Sequence, residues 1–119
     1  MKCLGILGSE LRSLGLNAEF ESWTSKIPNC YWVYTYIESD NNFETGCKSG
    51  ILILEGFTRT DISTLEKQKE KIIEKFMDFR KTVGNTTVYL GSANGQKVDT
   101  YDAELKKIQI NIDFKEWRY

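Results

Sequence analysis

The chain contains no histidine, which removes the side chain that most often acts as a catalytic base near neutral pH. Nucleophilic pairs of the Ser-His and Cys-His type are therefore excluded. Its three cysteines, Cys3, Cys30 and Cys47, are widely spaced and form no Cys-x-x-Cys pair, so neither a zinc site nor a disulfide framework is indicated. We expect reduced thiols, no bound metal and no other cofactor.

Long apolar runs and an excess of charge of one sign are also missing. No stretch approaches the roughly 18 apolar residues of a membrane-spanning helix, and the N-terminus does not follow the order of a secretion signal. Sixteen basic residues against seventeen acidic ones leave a net charge of −1, without a basic cluster suited to nucleic acid. The sequence predicts a protein that is made in the cytoplasm and recognises neither a nucleic-acid sequence nor a membrane.

The residues that are present suit one small folded domain covering positions 1–119. A hydrophobic share of 40% and a charged share of 28% are ordinary for a globular chain of this length. The aromatic share of 13% is high. Aromatic side chains that a thin domain cannot fully bury are common at protein interfaces, although a place in the core is their more frequent role.

Hydrophobic periodicity predicts an α+β domain in the order helix, three strands, helix, three strands. Leu4, Leu7 and Leu11 recur at helical spacing, whereas the run from Ile51 to Leu54 is apolar throughout and predicts a central strand covered on both faces. The predicted helices cover residues 1–14 and 61–81, and the predicted strands cover residues 18–23, 30–38, 48–57, 86–90, 96–101 and 103–117. We expect one mainly antiparallel sheet with both helices packed on one face.

Local motifs define the ends of the predicted elements in the second half of the chain. Ser63 and Glu66 have the spacing of a capping box, which places the start of the second helix near Asp61 or Ser63. The segment from Gly91 to Gly95 has no phosphate-loop signature and predicts a hairpin turn.

Charge along the second predicted helix is the main candidate for an interaction surface. Acidic and basic side chains each recur every four residues and form adjacent ridges of opposite sign. Such ridges are ordinarily solvated, yet they also suit head-to-tail contacts between subunits, and both interpretations remain open on the residues alone. The acidic ridge consists of Glu66, Glu70, Glu74 and Asp78, and the basic ridge consists of Lys67, Lys71 and Lys75.

Two residues outside this helix complete the candidate interface, and neither suggests a catalytic role. Arg59 precedes the helix, and Trp117 offers an aromatic anchor near the end of the last strand. Carboxylates spaced along a solvated helix face do not suggest a catalytic pair, so we expect no enzyme activity. A different class of function is a small ligand-binding or regulatory module, with a pocket between sheet and helices lined by Tyr31, Trp32, Tyr34 or Tyr36.

Several segments resemble a known group of proteins. Leu-Glu-Gly-Phe-Thr-Arg at 54–59, the charged helix at 65–72 and the strand at 103–111 resemble small tail-module proteins of siphophages and prophages of Gram-positive bacteria. Proteins of this group are often labelled minor capsid proteins and look like tail terminators. The pattern at 14–19 and Trp23 also fits, so the resemblance covers most of the chain.

The resemblance implies a structural protein without enzymatic activity, located in the tail or neck of the virion. Members of the group form a homo-oligomeric ring, typically a hexamer, on the end of the tail tube nearest the head. The ring stops tube polymerisation and presents a joining surface, so the implied partners are the tail tube protein and the head–tail connector proteins. The interface positions of the group follow no fixed motif, so the candidate interface residues above come from this sequence alone.

Overall fold

The computed structural model describes residues 2–20, 30–42, 47–98 and 105–118. It contains two helices and six strands in these residues, which confirms the predicted α+β class. Predicted strand residues 21–23, 99–101 and 103–104 lie outside the described residues. The elements are α1 (Lys2–Ser13), β1 (Ala18–Phe20), β2 (Cys30–Asn42), β3 (Cys47–Thr58), α2 (Ile62–Phe76), β4 (Phe79–Val83), β5 (Thr86–Val98) and β6 (Lys106–Arg118).

The six strands form one sheet in the order β1-β2-β3-β6-β5-β4. Strand β1 runs parallel to β2, while the other neighbouring pairs are antiparallel, so the sheet is mixed and the predicted mainly antiparallel arrangement is matched only in part. The last strand, β6, pairs with β3 on one side and β5 on the other, which makes β3 and β6 the central pair.

Alternation along the strands gives the sheet an inner face, which carries both helices, and an outer face, which points away from them. The central strands bring Leu52 opposite Ile112 and Leu54 opposite Ile110 on the inner face, and all four side chains are fully buried. They join the apolar stripes of both helices in one core cluster, whose helical members include Leu7, Leu11, Leu65, Ile72 and Phe76. Both helices therefore pack on one face, as the sequence predicted.

Helix α1 ends where the sequence places Gly15. This glycine has φ +81°, a left-handed conformation that glycine adopts at little energetic cost because it has no side chain. Its amide donates to the Arg12 carbonyl at 3.0 Å, and the Leu16 amide donates to the Leu11 carbonyl at 3.3 Å. This is the Schellman arrangement, and it turns the chain so that Leu16 and Ala18 reach the core.

Helix α2 begins with a different cap from the predicted one. Asp61, and not Ser63, is the N-cap: its carboxylate accepts hydrogen bonds from the Ser63 amide at 2.9 Å and the Ser63 hydroxyl at 2.7 Å. The prediction of a capping box formed by Ser63 and Glu66 is therefore wrong, because Ser63 already lies inside the helix. An aspartate two residues earlier satisfies the free amide equally well and adds a negative charge at the helix N-terminus.

The predicted end of this helix at Lys81 is also wrong, because α2 stops at Phe76. Asp78 has φ +56° and reverses the chain, after which Phe79 enters β4. The Phe79 ring packs edge-on against Phe76 with centroids 5.4 Å apart, so it still contacts the core, from a strand. Helical spacing could not distinguish these two ways of burying Phe79. Met77, which lies within the predicted helix, is exposed.

The predicted hairpin turn at residues 91–95 lies inside the 13-residue strand β5. A register shift against β6 between Gly91 and Asn94 accommodates the glycine-rich segment as a β-bulge. Gly95 lies close to α2, where an added Cβ would be 2.7 Å from the Lys69 side chain and would have to displace it. The element order is thus matched in part: three strands follow α2, of which β6 corresponds to the predicted last strand, β5 contains the predicted strand at 86–90, and β4 was not predicted as a strand.

Strand β3 is central, as predicted, but it is covered on only one face. Its residues at even positions are buried beneath the helices, whereas Ile51 is 39% exposed on the outer face. The continuous apolar run had predicted cover on both sides, so this prediction is wrong for the described residues. Ile51, Ile53 and Phe57 of β3 lie on this outer face, opposite both helices.

Candidate interaction surfaces

The predicted charged ridges are only partly present as one surface. Lys67, Glu70, Lys71 and Glu74 are exposed on α2. Other members have partners within the chain. Glu66 forms an ion pair with Lys69 at 2.8 Å, and Lys75 forms one with Glu10 of α1 at 2.8 Å. The four exposed residues remain a predicted contact.

Glu10 connects three elements of the inner side. Its two carboxylate oxygens contact Lys75 of α2 at 2.8 Å and Lys81 of β4 at 2.7 Å. The hydrogen bonds from Lys75 and then Lys81 hold the pKa of Glu10 below its ordinary value of 4.5. The ion pair of Lys75 with Glu10 therefore links α2 to α1, a role that the sequence pattern did not suggest.

Asp78 lies apart from the helix and belongs to the outer side of the sheet. Its carboxylate accepts a hydrogen bond of 2.7 Å from the Tyr89 hydroxyl of β5. This bond raises the pKa of Tyr89, and the guanidinium of Arg80 lies 5.9 Å from the centre of the same ring. Asp78 thus cannot continue an acidic ridge formed by α2.

Arg59 and Trp117 also lie in separate places. Arg59 is exposed in the turn between β3 and α2, where it has contacts of its own. Trp117 is half-buried on β6, in register with Cys47 of β3 and Thr87 of β5. The structure therefore does not bring the predicted interface residues together in one patch, and their role in assembly stays a prediction.

The outer face holds apolar residues that the sequence analysis did not select. Tyr31 and Phe57 stack with centroids 5.2 Å apart, and Ile37 is 58% exposed next to Ile51. A pocket of about 450 Å³ adjoins Ile51 on this face. Its lining includes Ser49, Ile51, Asp78, Tyr89, Asp113 and Lys115. The sequence did contain a signal for this apolar surface, because the residues at odd positions of β3 are about as apolar as those at even positions.

Polar side chains limit this apolar area toward β6. Lys107 forms an ion pair with Glu55, and its ammonium group lies 5.6 Å from the centre of the Phe57 ring. Gln109 donates to Asn111 at 3.2 Å on the same strand. The outer face is consequently apolar over β2 and β3 and polar over β6, a division that suits a protein contact with an apolar centre and a polar rim.

The two edges of the sheet differ in shape. At the β1 edge, the Phe20 ring is 40% exposed and stacks on Tyr36 with centroids 6.4 Å apart. At the β4 edge, a pocket of about 350 Å³ opens between α1 and β4. It is lined by Gly5, Ile6, Ser9, Lys81 and Val83.

The pocket predicted between sheet and helices is filled by the residues expected to line it. Trp32 is fully buried, lies directly over Gly56 and donates from its indole nitrogen to Gln68 of α2 at 2.8 Å. Tyr34 also belongs to the core cluster, and Tyr31 faces the other way. Trp32 and Tyr34 are therefore packing residues in this fold.

The described residues show little that could carry chemistry. They contain no group of three or more His, Cys, Asp or Glu side chains placed to hold a metal ion. Burial, and next the charge of Glu116, raises the pKa of the Cys3 thiol to about 12, so this thiol is protonated and a poor nucleophile. Within the same residues, neither helix has the length and apolar character needed to cross a membrane.

Glu116 is the main buried charge of the described chain. One carboxylate oxygen accepts the Cys3 amide hydrogen at 2.8 Å, which ties the start of α1 to β6. The other oxygen has no hydrogen-bond partner among the described residues. A carboxylate at a helix N-terminus satisfies a free amide and opposes the positive end of the helix dipole, so Glu116 acts as a distant cap.

Comparison with known proteins finds similarity in fold to solved structures, and none in sequence. No protein-family model and no curated protein sequence matches the chain. A chain in the structure described as "Virion of native gene transfer agent (GTA) particle" has a similar fold, with a TM-score of 0.73 and 11% sequence identity. The match covers 92% of this chain and 90% of that chain. At this identity the similarity establishes the fold alone.

Proposed function

We propose that this protein is a structural component of a phage-type virion, acting as a tail terminator. It caps the head-proximal end of the tail tube and forms the head–tail joining surface by assembling into a ring. The observation that carries the proposal is the fold shared with a chain of the gene transfer agent virion over nearly the full length of both chains. The tail-module resemblance of residues 54–59, 65–72 and 103–111 supports the specific role.

The surfaces of the molecule support function by assembly and not by turnover. Apolar side chains are exposed on the outer face, and the net charge of −1 gives no long-range repulsion between copies. The proposed partners are further copies of this chain in a hexamer, the tail tube protein and the head–tail connector proteins. The proposed location is the tail or neck of the virion.

The test is light scattering on a size-exclusion column over a hundredfold concentration range, followed by negative-stain imaging. We expect a discrete ring of about six copies, and binding of the protein to one end of purified tail tubes. A chain that stays monomeric at every concentration and also fails to bind tube ends would contradict the proposal. Binding to tube ends by a monomeric chain would retain it, with the tube as template for the ring.

A further inference from the structure

The β1 edge of the sheet presents a protruding aromatic ring. Phe20 is in register with Tyr34, whose side chain lies on the inner face, so the Phe20 ring also lies on that side. It stacks at the sheet edge on Tyr34 and Tyr36, with centroids 5.8 and 6.4 Å away, and keeps 40% of its surface exposed. A large ring held by two others at an edge is well ordered for insertion into a partner.

The opposite edge presents a hollow of matching character. Ile6 and Val83 supply apolar walls, and Gly5 leaves the opening clear, because an added Cβ there would have no atom within 4 Å. A volume of about 350 Å³ is near the lower end of the ~300–1,000 Å³ found for small-molecule pockets. The hollow is therefore large enough to admit one aromatic side chain.

We infer that the Phe20 ring of one copy inserts into the Gly5–Val83 hollow of the next copy. This inference rests on the ring assembly proposed above and names its contact. The ring and the hollow lie at opposite edges of one sheet and both on the inner-face side. A neighbour placed side by side, with the same face turned outward, therefore brings them together.

Charge on the outer-face side of the same edges is complementary. Glu19 is in register with Val33 of the outer face, and Arg80 is in register with Tyr89 of the outer face. The side-by-side arrangement that seats Phe20 therefore brings Glu19 toward Arg80 of the neighbour. Glu19 also has an interaction within its own chain, so the insertion of Phe20, and not this pair of charges, carries the contact.

The two contact points lie at different heights along the strands, which determines the tilt of the assembly. When the register is followed from strand to strand across the sheet, Phe20 aligns with Ile110 of β6, while Val83 aligns with Arg118 of β6. This offset is roughly 25 Å at ~3.3 Å per residue, over a six-strand sheet with ~4.8 Å between strands. A closed ring then requires strands tilted by roughly 40° from the ring axis, within the range seen in closed β-barrels.

Cysteine trapping tests the contact directly. Glu19→Cys and Arg80→Cys, which leave the Phe20 ring and the hollow in place, are combined with Cys30→Ser and Cys47→Ser, while the buried, protonated Cys3 is retained. Each copy then offers one thiol at either edge. On mild oxidation at high protein concentration, we expect a ladder of disulfide-linked oligomers larger than the dimer, whereas either single cysteine gives no species beyond the dimer.

A matched control replaces Glu19→Cys by Ile51→Cys in the same background. Ile51 is 39% exposed on the outer face, the face of Glu19, but it lies on a central strand and not at the β1 edge. The control should give no ladder. An equal ladder in the control, or no ladder in the Glu19→Cys and Arg80→Cys protein, would overturn the inference.

Filling the hollow is the second test, and it separates this inference from the proposed function. Gly5→Phe should occupy the hollow and raise the concentration for half-assembly, or for capping of tail tubes, by roughly tenfold or more. Gly5→Ala, which leaves the hollow open, should not. Unchanged assembly of Gly5→Phe would refute this contact but retain the terminator. A trapped ladder without any binding to tubes, or with open filaments in place of rings, would retain the contact and refute the terminator.

Discussion

The inner and outer faces of the sheet carry comparable amounts of apolar side chain on β3, but only the inner face has helices above it. Leu52 and Leu54 are fully buried beneath α1 and α2, whereas Ile51 of the same strand is 39% exposed. The difference shows that the hydrophobicity of a strand residue alone does not indicate whether its side chain stabilises the fold or contacts a partner. On this chain, the layer that covers the residue decides between the two roles.

The first way to test this comparison is to remove one side chain from each face. Leu54→Ala should lower the free energy of unfolding by about 2–5 kcal/mol, because the buried site opposite Ile110 cannot close fully. Ile51→Ala should cost about 1 kcal/mol or less, because much of this side chain is already in water. Urea unfolding of both variants measures the difference. Equal losses would mean that the outer face is packed in the isolated chain.

Glycines on the two faces give a smaller and more local comparison. An added Cβ at Gly56 would lie 2.7 Å from the buried Trp32 ring, so Gly56→Ala should destabilise the fold by about 1–3 kcal/mol. At Gly91 the nearest atom is the Tyr89 ring at 3.1 Å, on the open outer face, where the ring can move aside. Gly91→Ala should therefore cost less. Thermal unfolding of the two variants distinguishes them, and the opposite ranking would contradict the packing described.

The smallest expected effect concerns the ion pairs of Glu10, which fasten α1 and α2 over the inner side of β4. Since the native pKa of Glu10 lies below its ordinary value, its stabilisation is complete above the unfolded pKa and is lost as the pH falls through the native pKa. Glu10→Gln should cost about 0.2–1 kcal/mol at pH 7, as partly exposed pairs do. This difference from the wild type should shrink below roughly pH 5.

The control for Glu10 is Glu74→Gln, which removes the same charge from an exposed position of α2. Unfolding free energies measured between pH 3 and pH 7 should show a pH-dependent difference for Glu10→Gln and little change for Glu74→Gln. A difference that stays constant over this range would show that Glu10 contributes packing and not charge.

The sequence predicted those elements whose signal is local. The stripe of leucines in α1, the end of that helix before Gly15 and the strand beginning at Cys30 are set by neighbouring residues, and the structure agrees with them. The second half of the chain was less predictable. Phe79 can reach the core from a helix or from a strand, and the choice depends on pairing with Leu90 of β5, which periodicity does not contain.

The candidate surface was harder to predict than the fold. The charges of α2 are regular in sequence, yet Lys75 and Glu66 have partners within the chain, and Asp78 belongs to the opposite side of the sheet. Phe20 is distant in sequence from Lys81 and Val83 of the hollow and lies at the opposite edge of the sheet. Only the three-dimensional order β1-β2-β3-β6-β5-β4 places them where a neighbouring copy could join them.

The central position of β6 has a consequence for how the chain folds during synthesis. Until β6 has been made, β3 has a neighbour only in β2, and β5 has a neighbour only in β4, so the sheet exists as two separate parts. Each part would present an open strand edge with apolar residues, which is a site for aggregation. The Cys3 amide likewise lacks its hydrogen bond to Glu116 until that residue, 113 positions later, has been made. Completion of the sheet therefore depends on a strand that emerges late, and a translation stall before β6 would leave an assembly-incompetent chain.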